Sequence, residues 1–415
     1  MTPGSNTCKS AKSAVRRPVI TVKLINEVQR YYFDHNATTP VSQSVLEVLV
    51  AALLEVPGNA SSIHQDGQLA KQRLEAARRE VATLLGCEPK EVVFTSGGTE
   101  ADNLAIIGAV NAIVTPFEKH VITTKIEHPA VLNPCRELYP SGVKLTFVAP
   151  RPDGIVDPED IRRAMRPETV LVSVMHANNE TGAIQPIAEI AKIAHQGGAL
   201  MHSDGVQAAG KIPVDVEALG VDLYSISGHK FYSTKGIGAL YVKSGTKLRP
   251  IQFGGKHERE RRPGTENVPG AVAMAKAAAV ARGTLPVEPG RLETLRDRLE
   301  TGILARVPDT GVNGAGAPRT PNTSNIYFDG LEGEALVISL DLKGFAVSSG
   351  SACSSGAVEP SHVLLAMGLP PDRARSSLRF SLGASNNEEQ VHALIEAVTQ
   401  SAAQLRKLSP TYTSA

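Results

Sequence analysis

Apolar residues recur at helical spacing in "VLEVLVAALLEV" and again in "LAKQRLEAARREVATLLG", a run that stops at Gly86. The period then changes. "EVVFTSGG" reads as a strand running into a glycine turn, and "TEADNLAIIGAVNAI" follows as a helix. "HVITT", "VKLTFVA" and "TVLVSVM" predict further strands, with "DPEDIRRAM" a capped helix between the last two. "AEIAKIAHQG", "GALMHSD", "DLYSIS" and "GALYVK" continue the alternation. Strand, helix, strand over so long a stretch predicts an α/β fold with a mainly parallel sheet covered by helices on both faces.

The texture changes after "GTENVPG". Two long helices are predicted in "VAMAKAAAVAR" and "RLETLRDRLETGILARV". "NTSNIYFDG", "EGEALVISLDLKG", "SSLRFSLG" and "EEQVHALIEAVTQSAAQLRKL" then suggest a smaller C-terminal α/β unit, with the Gly/Pro-rich "PDTGVNGAGAPRTPNT" a surface loop. Residues 1–29 carry no such pattern and read as a loosely ordered extension.

Composition narrows the class. The 415 residues suffice for one large domain and a smaller one, and 42% hydrophobic with 20% charged residues suits a globular enzyme. A net charge of +1 gives no reason to expect nucleic acid or an anionic membrane as partner. No stretch approaches the ~20 apolar residues that span a bilayer, and no secretory signal is recognisable. The four cysteines, Cys8, Cys87, Cys135 and Cys353, form no CxxC pair and are too few for a disulfide framework, which favours a reducing, cytoplasmic setting.

Several residues carry candidate chemistry. Lys230 follows a predicted strand in "SISGHKFYSTKG". It reads either as a surface lysine or as an amine whose pKa burial lowers, a nucleophile for an aldehyde such as pyridoxal phosphate, PLP. That second reading requires a carboxylate for the pyridinium nitrogen and an anion site for the phosphate. Asp204 ends the strand in "GALMHSD", where ligand crevices of such sheets lie; it reads equally as a helix cap before "VQAAG". "FTSGGTEADN" offers a helix N-terminus at Gly98 and Thr99, where backbone N–H groups face an anion, and Ser227 and His229 could add donors. His128 in "IEHPAV" could stack on a ring and move protons, or be a structural histidine. Asn179 in "HANNETG" offers an amide near ring or substrate. Arg379 in "SSLRFSLG" suits a substrate carboxylate or an interdomain ion pair. Cys353 sits alone in the small-residue run "VSSGSACSSGAVEPSHVL".

In order, these pieces form a set. With "DHNATTP", "GNASSIH", "TSGGTEADNL", "EHPAV", "ANNETG", "SGHKF", "RRPGTENVPG" and the cysteine loop, the chain resembles the cysteine desulfurases of the NifS/IscS type, class-V aminotransferases of the fold-type I PLP enzymes, from residue 32 to about residue 409. The resemblance implies a large domain over residues 43–285 with a mainly parallel seven-stranded sheet. It also implies a small domain from residues 30–42 and 286–415 that carries the Cys353 loop. Lys230 would hold PLP covalently, Asp204 would pair with its ring nitrogen, Gln207 would bond its phenolic oxygen and His128 would stack on its face. Gly98, Thr99, Ser227 and His229 would hold the phosphate, with Thr265 reaching in from the second subunit of a homodimer. Asn179 and Arg379 would hold the carboxylate of L-cysteine. Cys353 would take the substrate sulfur as a persulfide and pass it to an acceptor such as an iron–sulfur scaffold protein, and would be a transient cluster ligand in the manner of some relatives.

Departures from that pattern are local. Gly205 replaces the usual alanine, which is expected to loosen packing under the ring. Ser233 and Thr234 replace Gly-Pro after the lysine, which is expected to loosen that turn, and Glu260 replaces a glycine near the expected dimer interface. A selenocysteine lyase or other PLP-dependent β-lyase is the rival within the same chemistry; a non-catalytic nucleotide-binding or scaffold protein is the rival outside it.

Overall fold

The computed structural model describes residues 30–349 and 359–408. The expected 1–29 extension with Cys8, Cys353 of the expected sulfur-accepting loop, and the residues after 408 lie outside the described residues.

Strands buried on both faces read as largely apolar runs, and the predicted ones do, with buried polar residues such as His202, Asp204 and Ser225 among them. In chain order the strands are β1 (Tyr31–Tyr32), β2 (Val92–Thr95), β3 (His120–Thr124), β4 (Lys144–Val148), β5 (Thr169–Ser173) and β6 (Leu200–Asp204). They continue with β7 (Leu223–Ser227), β8 (Gly238–Val242), β9 (Thr310–Val312), β10 (Thr323–Phe328), β11 (Phe345–Ala346) and β12 (Ser377–Ser381). Seven of them form the large sheet in the order β2-β8-β7-β6-β5-β3-β4. All pairs are parallel except those of β8 with β7 and with β2. Residues of β2, β3, β7 and β8 are buried without exception. The expected mainly parallel seven-stranded sheet is therefore present.

The helices are α1 (Gln43–Glu55), α2 (Gln65–Leu85), α3 (Gly98–Ala112), α4 (Pro129–Leu138), α5 (Pro158–Ala164), α6 (Ile187–Gln196) and α7 (Val216–Leu219). They continue with α8 (Val268–Thr284), α9 (Glu288–Arg306), α10 (Gly333–Leu342), α11 (His362–Ala366), α12 (Pro371–Arg375) and α13 (Glu388–Leu408). Local chemistry sets their ends. The His64 side chain caps α2, which stops at Gly86 in the left-handed conformation (φ +70°) that favours glycine. Asn267 caps α8 by accepting from the N–H of Gly270. None of these helices is long and apolar enough to cross a membrane.

Two cores result. The larger joins Val45, the α2 face around Leu74 and Val81, sheet residues such as Ile122 and Val172, and the alanine-rich α8; Val363, Leu364 and Met367 of the C-terminal region also pack here. The smaller unites Phe33, Leu295, Leu299, Ile326, Phe328 and Leu378 with Leu394 and Val398 of α13, around the antiparallel sheet β12-β10-β9. The N-terminal segment belongs to this second core: β1 pairs parallel with β11, and Asp34 bridges to Ser381 at the end of β12.

Gly205 corrects one expectation. A Cβ built there would lie 2.0–2.3 Å from the ring and hydroxyl of Tyr224, not in the cleft. Tyr224 is fully buried, with its hydroxyl 2.7 Å from Nδ1 of His176. The glycine thus makes room for a core tyrosine, and the residue that faces the glycine turn of α3 is Val206, whose Cγ2 would meet a Cβ on Gly98 at 2.8 Å. Replacing Gly205 by Ala is expected to destabilise the protein by about 1–3 kcal/mol through overpacking. In a Tyr224→Ala background the same change should cost under about 1 kcal/mol, as read from denaturant midpoints in a double-mutant cycle.

Candidate active site

Strand direction assembles the site. Because β2 and β7 both run antiparallel to β8, the C-terminal ends of β2, β7, β6, β5 and β3 all open onto one edge of the sheet. The glycine turn 96–99 leaves β2, Lys230 follows β7, Asp204 ends β6, Asn179 follows β5 and His128 follows β3. Five segments far apart in sequence therefore deliver their polar residues to one crevice.

Lys230 closes a short helical turn, Gly228–Lys230. Its Nζ donates to the carbonyls of Asn36 (2.7 Å) and Ala37 (2.8 Å), on the N-terminal segment that crosses the crevice. Burial, helped by the Arg379 charge and opposed by Asp204 and Asp34, brings its pKa down to about 8, so that a useful fraction is neutral amine near neutral pH. The turn after it is closed, not loose as expected: Gly228 O accepts from the N–H groups of Phe231 and Ser233, both at 3.1 Å.

Asp204 is buried, and its Oδ1 accepts from the N–H of Val206 (2.9 Å). No helix follows, because residues 206–208 form turns, so Asp204 is not a helix cap; one oxygen instead fixes the turn that leaves β6. Burial and the nearby Asp102 carboxyl raise its pKa to about 7, against the pull of His128 and His202. Behind it, buried His202 is fixed by the hydroxyls of Ser173 (2.8 Å) and Ser225 (3.1 Å). A carboxyl so placed lacks a cation.

His128 caps α4: its Nδ1 accepts from the N–H of Ala130 (3.0 Å), which leaves Nε2 as the proton-bearing nitrogen of the neutral ring. The ring opens to the crevice, yet the surrounding protein lowers its pKa, with the charges of Lys230 and His362 adding to that effect and Asp204 opposing. Gln207 donates from Nε2 to Asn36 O (3.0 Å), and its Oε1 accepts from Lys211, whose Nζ also reaches Asn36 Oδ1 (2.7 Å). Burial drives the Lys211 pKa well below the usual lysine range.

At the turn, Gly97 and Gly98 lie against Ser227, whose Oγ would be 3.9 Å from a Cβ on Gly97. Thr99 is exposed in the first turn of α3, where N–H groups lack intrahelical partners. His229 Nδ1 lies 3.1 Å from Thr38 Oγ1, and burial with three neighbouring lysines lowers its pKa to about 4. Arg379 donates to Asn179 O (3.0 Å) and to Asp34 (2.7 Å), so the ion-pair reading holds in part; its Nε is buried without a partner. Asn179 is half-buried. Thr265 lies exposed in the segment before α8 and makes no side-chain hydrogen bond among the described residues. Among the described residues no group of His, Cys, Asp and Glu is arranged to hold a metal ion.

Three contributors carried no role in the sequence reading. Residues Asp34–Ala37 bind Lys230, Gln207, Lys211 and Arg379; the signal was "DHNATTP", a polar run directly after a short strand. Glu127, buried and raised to about 8 by burial, accepts from Thr124 Oγ1 (2.6 Å) and Met175 N (3.0 Å) directly beside His128. Ser361 and His362, just after the cysteine loop, bond Glu180 (2.5 Å) and the Glu127 carbonyl (3.0 Å), tying that end of the loop to residues adjoining Asn179 and His128.

A model of the aminotransferase class-V family matches residues 31–394. A curated cysteine desulfurase of Nostoc sp. (strain PCC 7120) is 46% identical over 379 residues, covering 91% of this chain and 94% of its own. Among solved structures, a NifS-like protein matches with a TM-score of 0.85 at 36% identity, covering 91% of this chain and 100% of its own. A structure described as SspA in complex with cysteine matches with a TM-score of 0.75 at 33% identity, covering 85% and 98%.

The Asp204 shift has a pH consequence. Its folded pKa stands above the unfolded value of 3.8, so the folded chain binds the proton more tightly. Stability of the protein freed of small molecules should therefore fall as pH rises from about 4 through about 7. Buried Asp102, Glu127 and Glu180, also raised by burial, add slopes of the same sign, so Asp204→Asn should flatten the slope in part and raise stability at pH 8 by on the order of 2 kcal/mol, measured by thermal melts across pH.

Proposed function

The chain belongs to the class-V aminotransferase family, in its cysteine desulfurase branch, and on that footing we propose that it binds PLP at Lys230 and converts L-cysteine to L-alanine, passing the sulfur to Cys353. The observation that carries the reading is the convergence of Lys230, Asp204, His128 and the Gly98 turn on one sheet edge.

The residues fit the cofactor. The buried Asp204 carboxyl wants a cation, which a pyridinium nitrogen supplies. Gly98 lies tight against Val206 and Ser227 where α3 begins, and the N–H groups of that first turn, which lack intrahelical partners, suit a phosphate. Gln207, fixed by Asn36 and Lys211, would bond the phenolic oxygen, and His128 would cover the ring face. When bound, PLP withdraws electrons from the substrate Cα.

The chain's own groups do the rest. Lys230, with a pKa of about 8, can take a proton from the substrate Cα and return one. His128 presents its Nε2–H for proton movement on the opposite side of the crevice from its helix cap. The Arg379 guanidinium, placed by Asp34 and the Asn179 carbonyl, would hold the substrate carboxylate together with Asn179. The Cys353 thiolate forms a bond to the substrate sulfur as the sulfur–Cβ bond breaks with its electron pair going to carbon; protonation of that carbon completes alanine. The cysteine in the related SspA structure supports L-cysteine as substrate.

Partner and setting follow the same line. A homodimer would bring Thr265 of one subunit to the phosphate of the other, and the exposed apolar residues Leu46, Val50, Leu53 and Leu54 of α1 offer surface for association. An iron–sulfur scaffold is the acceptor of choice. In this reading residues 43–285 would make the large domain and 30–42 with 286–415 the small one, with Val363, Leu364 and Met367 crossing over to pack on the larger core. Cys87 and Cys135 are unpaired thiols, as suits the cytoplasm.

Purified protein given L-cysteine and a thiol reductant should release alanine and sulfide. Cys353→Ala should keep the yellow colour of bound cofactor and release no sulfide. His128→Gln should keep the colour and lose on the order of 10²–10⁴-fold in turnover. A wild-type protein that takes up no PLP would overturn the reading; a coloured one inert toward L-cysteine would redirect it to another amino acid.

A further inference from the structure

The segment "GGKHERERRPGTEN" contains three consecutive non-glycine residues in the left-handed region: Glu258 (φ +44°), Arg259 (φ +57°) and Glu260 (φ +65°). Such a run is costly and persists only where neighbouring groups dictate it. Here they do. Both guanidinium nitrogens of Arg78 donate to the Glu258 carboxylate at 2.7 Å, and the side chains are 3% and 2% exposed. The N–H of Phe94 adds a third bond at 2.9 Å, and Arg78 also donates to Val92 O (2.8 Å) and lies 5.0 Å above the Phe94 ring. The segment is thereby strapped to β2, the strand that runs into the glycine turn. The glycine expected at residue 260 is the residue type that this φ favours.

Two residues further on, Arg262 reaches the other end of that turn. Its Nε donates to Glu100 Oε1 (2.8 Å) and its second nitrogen to Oε2 (3.4 Å). Glu100 Oε2 also accepts the N–H of Ser96 (2.7 Å), so the carboxylate spans the turn from Ser96 into the first turn of α3. Although burial works against its ionisation, these bonds hold Glu100 below the usual carboxylate range. An unpaired carboxylate there would oppose any phosphate brought to the N–H groups of Gly98 and Thr99, because like charges a few ångströms apart repel strongly where water is partly excluded.

We propose that Arg262 is a positioning residue for the cofactor phosphate: it neutralises Glu100 at the start of α3, and the Glu258–Arg78 strap fixes the segment from which it reaches. This rests on the reading above, in which PLP seats its phosphate at that turn. Arg262 needs no contact with the phosphate. It shapes the field in which the phosphate binds, and it ties the segment carrying Thr265 to the turn of its own protomer.

The test uses the full chain, freed of cofactor and titrated with PLP or with pyridoxal, which lacks the phosphate, followed by absorbance. Arg262→Gln should weaken PLP about 10- to 100-fold and pyridoxal by less than about 2-fold. Adding Glu100→Gln should return PLP affinity to within a few-fold of the wild type, since the repelling charge is gone. Glu260→Gly should raise thermal stability and leave both affinities unchanged. Equal losses for PLP and pyridoxal, or no recovery in the double variant, would show a merely structural role and overturn the proposal, as would an unchanged PLP affinity in Arg262→Gln. Failure of the wild type to bind PLP at all would instead remove the cofactor reading on which it stands.

Discussion

A carboxyl at the end of β6, buried against Asp102 and lacking a cation, is the constraint around which the crevice is built. Removing a carboxylate from water is expensive, and the expense is tolerable only where something else needs the charge. The elements around Asp204 serve that need. His202 and its two serine hydroxyls occupy the sheet behind it, Val206 N steadies one oxygen, and His128 faces it across the opening. A cationic ring nitrogen set there would relieve the carboxyl and itself be kept protonated, the condition for drawing electrons from a bound substrate.

The second support is the N-terminal segment. Asp34 through Ala37 emerge from β1, whose pairing with β11 anchors them in the smaller core, and then cross to the larger sheet's edge. There they bond Lys230, Gln207, Lys211 and Arg379. Lysine and arginine thus meet the same short run of backbone and side chain, and each influences the other: the Arg379 charge is one reason the Lys230 amine loses its proton easily. The two large cores are joined at the candidate site.

Much of this was legible in the residues. Alternating strand and helix patterns marked the sheet and most of its strands, because strands covered on both faces are mostly apolar over short runs. Lys230, Asp204, His128 and the glycine turn each stood directly after such a strand, where open α/β sheets place their ligands. What remained hidden depends on side-chain direction and long-range pairing. The space at Gly205 is taken by Tyr224 from the neighbouring strand, which no local pattern discloses. The left-handed run at 258–260 likewise makes sense only once Arg78, some 180 residues earlier, is seen to grip Glu258.

By itself the sequence determined the fold class, the order of the elements and which residue types stand at strand ends, since these follow from hydrophobic period and turn chemistry along the chain. Only the tertiary structure decided that β2 and β7 open onto the same edge, through their shared antiparallel neighbour β8, and that one crossing segment binds both lysine and arginine. It also decided the protonation tendencies, lowering Lys230 to about 8 and raising Asp204 to about 7. Burial and the charge facing each group set those values, and neither exists until distant segments are packed together.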